Sequence, residues 1–483
     1  MPLPSRRWGT LTGVSLASFM TFLDNNVVNV ALPSVQRDLH LSLSGLEWVV
    51  SAYILVFSGL MLVGGRLSDL YGRRRMFLTG LAVFTAASLL SGLAGSESVL
   101  ILGRALQGVG AAMTMPSTLA IISATFTDPK ERARAIGISS ASGALSLALG
   151  PLTGGFISQH FPWGWIFLIN VPIGVAAIAV AAYSMPAQRP VGGRSLDVPG
   201  LLASTLMLFP LTYALIEGHD RGWSSPLILA AFALAAAAFG TFLAVEARTA
   251  DPMVDLSLFR SAVFSGGNAA LVLWGFGVMG VYFFTAMYLQ NVLGFSPTRA
   301  GAAFVPMALL MAVTAAIAAP VSHRFGAARV VGSGLTLIVV GLLLAARVGE
   351  HGSFLDLMPA FVALGIGSGF TMMPLNGAVI AVLPPERAGA ASGILNTGRE
   401  VSGLLGVTVI GAILTGRQSS SLRGGATPLH AFLDGYRFAI VIAAVIVAIG
   451  VPVALTTLRG APRRRQPTPP LSTAPSPGLE NAG

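Results

Sequence analysis

The chain has 483 residues, 54% of them hydrophobic and only 10% charged, with a formal net charge of +10. An ordinary soluble domain is about a quarter charged, so a soluble core of this size would lack the charged shell it needs. The absence of cysteine excludes disulfide frameworks and thiolate metal sites, and the cations fall singly or in short clusters, not on the contiguous basic face that nucleic acid requires.

The apolar content lies in long runs. Residues 76–96, 105–127 and 438–458 contain no Asp, Glu, Lys or Arg, and each is about the 20 residues a helix needs to cross roughly 30 Å of hydrocarbon. Residues 135–188 are equally free of charge, long enough for two crossings and a turn. In lipid every backbone group must be satisfied within its segment, which selects helix, and a barrel would show short alternating strands instead. In chain order the runs predict helices near 9–33, 47–68, 76–95, 98–122, 133–157, 165–185, 198–217, 225–245, 262–290, 300–321, 328–346, 357–382, 388–414 and 437–458. The first follows Arg6 and Arg7, is too long for a signal-peptide core and lacks a clear cleavage site, so it reads as a retained helix. Fourteen helices place both termini on one side. Twenty of the 29 Lys and Arg residues then fall in the loops on that side and seven in the opposite loops, with Arg104 and Arg399 inside helices. The positive-inside bias makes the termini cytoplasmic. The Pro/Ser/Thr-rich tail, 461–483, reads as disordered.

The chain also resembles itself at an offset of about 255 residues. DPKERAR at 128–134 recurs as LPPERAG at 383–389, and LQGVGAAMTMP at 106–116 as LGIGSGFTMMP at 364–374. GRLSDLYG at 65–72 recurs weakly as APVSHRFG at 319–326, keeping Ser68 and Gly72 as Ser322 and Gly326. The fold class this predicts is all-α and polytopic: pseudo-symmetric six-helix bundles over 1–190 and 256–460, with an inserted helix pair over 191–255. Such a duplication is a transporter layout, its site expected between the bundles near the midplane.

These segments carry a family resemblance. GRLSDLYGRRR at 65–75 resembles the signature loop between helices 2 and 3 of the major facilitator superfamily. LILGRALQGVGAA at 100–112 resembles its helix 4 motif, and GALSLALGPLTGG at 143–155 its helix 5 antiporter motif. LDNNVVNVALP at 23–33 and WGWIFLINVPIG at 163–174 resemble motifs of the fourteen-helix drug:proton antiporter branch, the EmrB/QacA type. Asn26 and Gly164 stand where that branch usually has Thr and a basic residue. The resemblance covers residues 8–458 and implies proton-coupled efflux of drugs or other small amphipathic compounds at the cytoplasmic membrane, without a cofactor or a metal.

Candidate residues follow from charge and position. Asp24, well inside helix 1, is costly if ionised in lipid, so it should face a cavity or take up a proton; the alternative is a hydrogen-bonded packing role. A proton carrier at this position needs a water route to one side of the membrane. Arg104, near the start of helix 4, either biases Asp24 or a substrate, or snorkels to the headgroups. Arg399 and Glu400 are adjacent on one helix and should not face each other, so each is expected to find a partner elsewhere; Glu400 is a second coupling candidate or a structural ion. Gly65, Asp69, Gly72 and Arg73 form a cytoplasmic gate candidate, in which the glycines allow a tight turn and Asp69 caps a helix or pairs with arginine. Gly143, Gly150, Pro151, Gly154 and Gly155 allow close helix approach and a bend in helix 5; the resemblance adds a role in preventing leak. Tyr53, Gln107, Asn268, Asn376 and Asn396 lie in apolar helices, where they either line the cavity or make interhelical hydrogen bonds. The six histidines show no metal-ligand spacing. The expected partners are the lipid bilayer, protons and a small amphipathic substrate. The rival reading is a dedicated exporter of one host metabolite, antibiotic or lipid; a membrane enzyme or receptor would need a catalytic constellation or a large soluble domain, and the sequence offers neither.

Overall fold

The computed structural model describes residues 4–186, 198–249, 254–350, 352–383 and 388–460. The tail at 461–483, Arg189, Arg194 and Arg387, and most of the second ERAG repeat lie outside these residues. In chain order the helices are α1 (Pro4–Leu39), α2 (Leu43–Tyr71), α3 (Arg73–Gly92), α4 (Glu97–Thr125), α5 (Pro129–His160), α6 (Trp165–Leu168), α7 (Asn170–Ser184), α8 (Val198–Arg221) and α9 (Pro226–Arg248). There follow α10 (Ala262–Asn291), α11 (Pro297–Ala303), α12 (Val305–Phe325), α13 (Ala327–Arg347), α14 (Phe354–Ala381), α15 (Ala388–Arg423) and α16 (Pro428–Thr457).

Local chemistry sets the boundaries. Ser225, Ser296 and Thr427 each cap a helix through their side chain and are followed by a proline in the first turn, as Asp128 does before Pro129. Many helices run past their apolar cores: α1 continues to Leu39 and so takes in Arg37, which hydropathy alone leaves in a loop. The run expected near 165–185 is broken at Ile169, and the one near 300–321 at Phe304. Twelve stretches among the described residues are long and apolar enough to cross a membrane, with α6–α7 and α11–α12 each counting once. The other two long helices are α1, which carries Asp24 and several amides in its interior, and α8, which ends in Glu217, His219, Asp220 and Arg221.

The helices pack in two groups with the same internal arrangement. In the first, α4 lies against α2 and α3, α1 against α5, and α7 against α1 and α3. In the second, α14 lies against α12 and α13, α10 against α15, and α16 against α10 and α13. The correspondence extends to single residues. A Cβ on Gly80 would meet Thr114 Oγ1 at 2.6 Å and Gly110 O at 2.7 Å; one on Gly334 would meet Thr371 Oγ1 and Gly367 O at the same distances. Gly72 and Gly326, with φ of 94° and 89°, each donate to the carbonyl of a serine four residues back. That backbone conformation strongly favours glycine, which explains why this pair survives in an otherwise weak repeat.

The groups meet through α2 with α15, α5 with α11, and α1 with α10, while α8 touches both α2 and α15 and α9 lies on α8. Among the described residues, the hydrogen bonds that join the groups lie at one end, where α1, α5 and α10 finish. Gln290 Nε2 donates to Val30 O at 2.8 Å, Thr298 N to Gln159 Oε1 at 3.2 Å, and Thr298 Oγ1 to Gly155 O at 3.3 Å. A Cβ on Gly155 would fall on Pro297 O and one on Gly301 on Pro151 O. The molecule is therefore sealed at the end opposite the Gly72 and Gly326 turns.

Candidate functional site

Asp24 sits about 30 Å along α1 from its start and about 22 Å from its end, at 1.5 Å per residue. Its carboxylate is 1% exposed, and the guanidinium of Arg104 beside it is 0% exposed. Arg104 NH1 donates to Asp24 Oδ2 at 2.5 Å and to Gln107 Oε1 at 2.9 Å, and Nε donates to Val49 O on α2 at 3.0 Å. Asp24 Oδ1 accepts from Gln107 Nε2 at 2.9 Å and from Asn170 Nδ2 at 2.7 Å, and Gln107 also donates to Ser88 Oγ on α3. Tyr53 stacks under the guanidinium, 4.5 Å from its carbon, with Phe167 on another side at 5.7 Å. Six helices of the first group, α1–α4, α6 and α7, thus converge on one ion pair.

This arrangement decides between the alternatives that the sequence left open. Asp24 does not face a cavity in this conformation, and its carboxylate is paired with Arg104. The water route expected at Asp24 is not open here: its side chain is sealed among its neighbours in this conformation. Arg104 does not snorkel, because α1 supplies it a carboxylate, α2 and its own helix α4 two carbonyl-type acceptors, and α2 and α6 two ring faces. Tyr53 and Gln107 belong to the pair's wall and do not line open space here. The cluster is not saturated: Arg104 NH2 and Asn170 Oδ1 are buried without a hydrogen-bond partner.

Arg399 and Glu400 overturn one expectation. Arg399 curls back along its own helix, and its NH2 and Nε reach Glu400 Oε1 at 2.7 and 3.2 Å, so the neighbours pair with each other. The long arginine stem overcomes the divergence of adjacent Cβ directions. Glu400 also lies within electrostatic range of Tyr53, across the boundary between the groups. Asn268 bonds to Phe264 O in its own helix and approaches Gly398 on α15, and Asn376 and Asn396 are half-buried and stand apart from the ion pair.

The remaining candidates lie at the α2–α3 turn and along α5. Asp69 meets Arg73 at 3.4 Å, partly exposed, while Gly72 links α2 to α3 and Gly65 leaves a Cβ ordinary room against Pro116. Along α5, a Cβ on Gly150 would lie 2.5 Å from that of Asn26, and one on Gly154 would lie 2.5 Å from Val27 O; Gly143 faces Phe22. Gly150 and Gly154 bring α5 onto α1 just C-terminal to Asp24, and Pro151 and Gly155 bring it onto α11.

Sequence reasoning passed over Asn170, although it stands in the WGWIFLINVPIG segment as a lone amide in a charge-free stretch. It also passed over Glu47, whose position near a helix start reads as a surface charge but which is 3% exposed.

With this geometry in place, comparison with known proteins is informative. The Major Facilitator Superfamily profile matches residues 14–407 and 268–480. The chain is 36% identical over 435 residues to the puromycin resistance protein pur8 of Streptomyces alboniger, covering 89% of this chain and 86% of that one. It is 38% identical over 400 residues to the cephamycin export protein CmcT of Amycolatopsis lactamdurans, covering 82% of each, and 34% identical over 413 residues to the multidrug resistance protein Stp of Mycobacterium tuberculosis, covering 86% of this chain and 77% of that one. Among solved structures, a bacterial homologue of the lysosomal transporter Spinster, in an inward-facing conformation, superposes with a TM-score of 0.69 at 17% identity, covering 96% of this chain and all of that one.

Proposed function

The chain belongs to the Major Facilitator Superfamily, and from that membership and the buried charge cluster we propose that it exports small amphipathic compounds, antibiotics among them, in exchange for protons. It is a multi-span membrane transporter of that superfamily, and its relatives include antibiotic resistance, antibiotic export and multidrug resistance proteins. The finer reading rests on one observation: a carboxylate deep in α1, away from both helix ends, is held by a cation whose own hydrogen bonding is incomplete.

In this reading the two bundles rock about the cluster. With the outer end sealed, Asp24 is ionised and locked to Arg104. Opening the outer end admits water, a proton takes the place of Arg104 at Asp24, and the substrate leaves. Closing then carries the proton inward, where it is released and the pair re-forms. One charge crossing about 100 mV gains roughly 2.3 kcal/mol, and one pH unit adds about 1.4 kcal/mol. Together these sustain a substrate gradient of several hundredfold. α1 and α8, about 54 and 36 Å long at 1.5 Å per residue, also cross the membrane in this reading, which gives fourteen crossings, cytoplasmic termini, and α8–α9 as an inserted pair between bundles 1–190 and 256–460. The loop of Asp69 and Arg73 serves as the inner gate, the α5 glycines prevent leak, and Glu400 is a second coupling site.

The test is efflux of a compound panel from inverted vesicles, with and without a protonophore. Export abolished by the protonophore supports coupling, and export that persists without a proton gradient refutes it. A dedicated exporter of one compound is supported about equally, because relatives such as the cephamycin and tetracenomycin C export proteins are named for single products. Mutual competition across the panel favours the broad exporter; one tight ligand favours the dedicated one.

A further inference from the structure

Glu47 is the second fully buried carboxylate of the first bundle, and nothing in the export reading uses it. It lies in the second turn of α2, at the sealed end, with its carboxylate packed against Gly411 of α15: a Cβ added there would lie only 2.2 Å from Glu47 Oε1. Unlike Asp24, it has no cation and no hydrogen-bond donor among the described residues, although it is 3% exposed. The charged and titratable groups on the elements around it are mostly acids or already engaged. On α8, Asp220 adds repulsion to Glu47 and accepts from Ser44 Oγ at 2.9 Å, Glu217 accepts from Trp48 Nε1 at 3.0 Å and from Arg221, and His219 Nε2 bonds Ser419 Oγ of α15 at 2.7 Å. On α4, Glu97 lies against Gly45, two residues before Glu47, and Arg104 is committed to Asp24 and Val49 O. On α15, Arg417 pairs with Asp434 of α16, Arg399 with Glu400, and Arg423 lies three turns beyond Gly411. Arg37, Asp38 and His40 close α1 nearby, with Arg37 bonded to Ser34.

An ionised carboxylate cannot stay here without a partner once the seam has expelled water. The same group is readily solvated when α2 and α15 separate. We propose that Glu47 is a proton-binding site of the outer gate, loaded from the outer medium as the gate closes and emptied to the same side as it opens. It is distinct from the exchanged proton at Asp24, and acid outside therefore favours the sealed outer end. The proposal rests on the alternating-access reading and on the sealed end being the outer one. It also gives the inserted pair a role: α8, bonded to α2 through Glu217 and Asp220 and to α15 through His219, holds the seam around Glu47.

The chain's lack of cysteine allows a direct test. Spin labels at F161C and R299C, exposed positions on opposite bundles at this end, report the gap in nanodiscs as pH is stepped from about 5 to 9. One linked proton shifts the closed-to-open ratio by up to tenfold per pH unit. Acid should shorten the distance in the parent chain, and Glu47→Gln, neutral at every pH, should hold it short at the alkaline end and lose the acid-driven shortening. Glu47→Asp, still ionisable, should retain the pH dependence and serves as the folding control. A parent chain with no pH dependence, a Glu47→Gln variant that keeps it, or a His219→Gln variant that alone abolishes it would each overturn the proposal. None of these bears on protonophore-sensitive export, which tests the exchange reading separately.

Discussion

Replacing Asp24 by Asn should destabilise the protein as well as uncouple it, and the structure gives the size of the effect. The substitution leaves Arg104, 0% exposed, without its counter-charge and turns an amide N–H toward a guanidinium that has only donors. Breaking one side of a buried pair costs about 3–5 kcal/mol. Arg104→Gln does the same in reverse, leaving Asp24 with only the neutral donors Gln107 and Asn170, again about 3–5 kcal/mol. If the two sites were independent, the double variant would lose about 6–10 kcal/mol. Because they are one pair, the double variant leaves no buried charge, and its loss should be that of a few neutral hydrogen bonds at about 1 kcal/mol each. Asp24→Asn/Arg104→Gln should therefore unfold later than either single variant, by several kcal/mol of coupling. The assay is denaturant unfolding of purified protein in detergent, followed by tryptophan fluorescence, with proton-driven export measured in parallel. All three variants should lose proton-driven export. Additive losses would refute the claim that Asp24 and Arg104 form one buried unit.

Other expectations follow from backbone geometry and exposure. Gly72→Ala and Gly326→Ala place a Cβ at φ near 90° and should each cost about 1–3 kcal/mol; lying in different bundles, their effects should add in the same unfolding assay. Gly155→Val drives a branched side chain into the backbone of Pro297, where overpacking costs about 1–3 kcal/mol. In the alternating-access reading that contact exists only in the sealed state, so the variant should remain folded with a widened spin-label distance at that end; an unchanged distance refutes the assignment of that seam. Glu400→Gln breaks a partly exposed pair and should change stability by no more than about 1 kcal/mol. A tenfold loss of export from this variant would mark Glu400 as a coupling residue, and unchanged export would mark the pair as structural.

Membrane insertion, an all-helical fold, the duplicated layout and the depth of Asp24 could all be read from the chain, because they depend on run length, charge placement and local pattern. Gly72 and Gly326 were visible for the same reason: a positive φ is a local demand that few residues other than glycine meet. What the sequence could not supply was partnership. Asp24 and Arg104 lie 80 residues apart, and only the packing of α1 against α4 decides whether each meets a cavity, a headgroup or the other. Asn170 reads as one more polar residue until α7 is laid beside α1. Glu47 reads as a surface acid until α15 closes over it. Composition and periodicity place a charge at a depth along its own helix; the helix that packs against it decides whether that charge is paired, hydrated or in need of a proton.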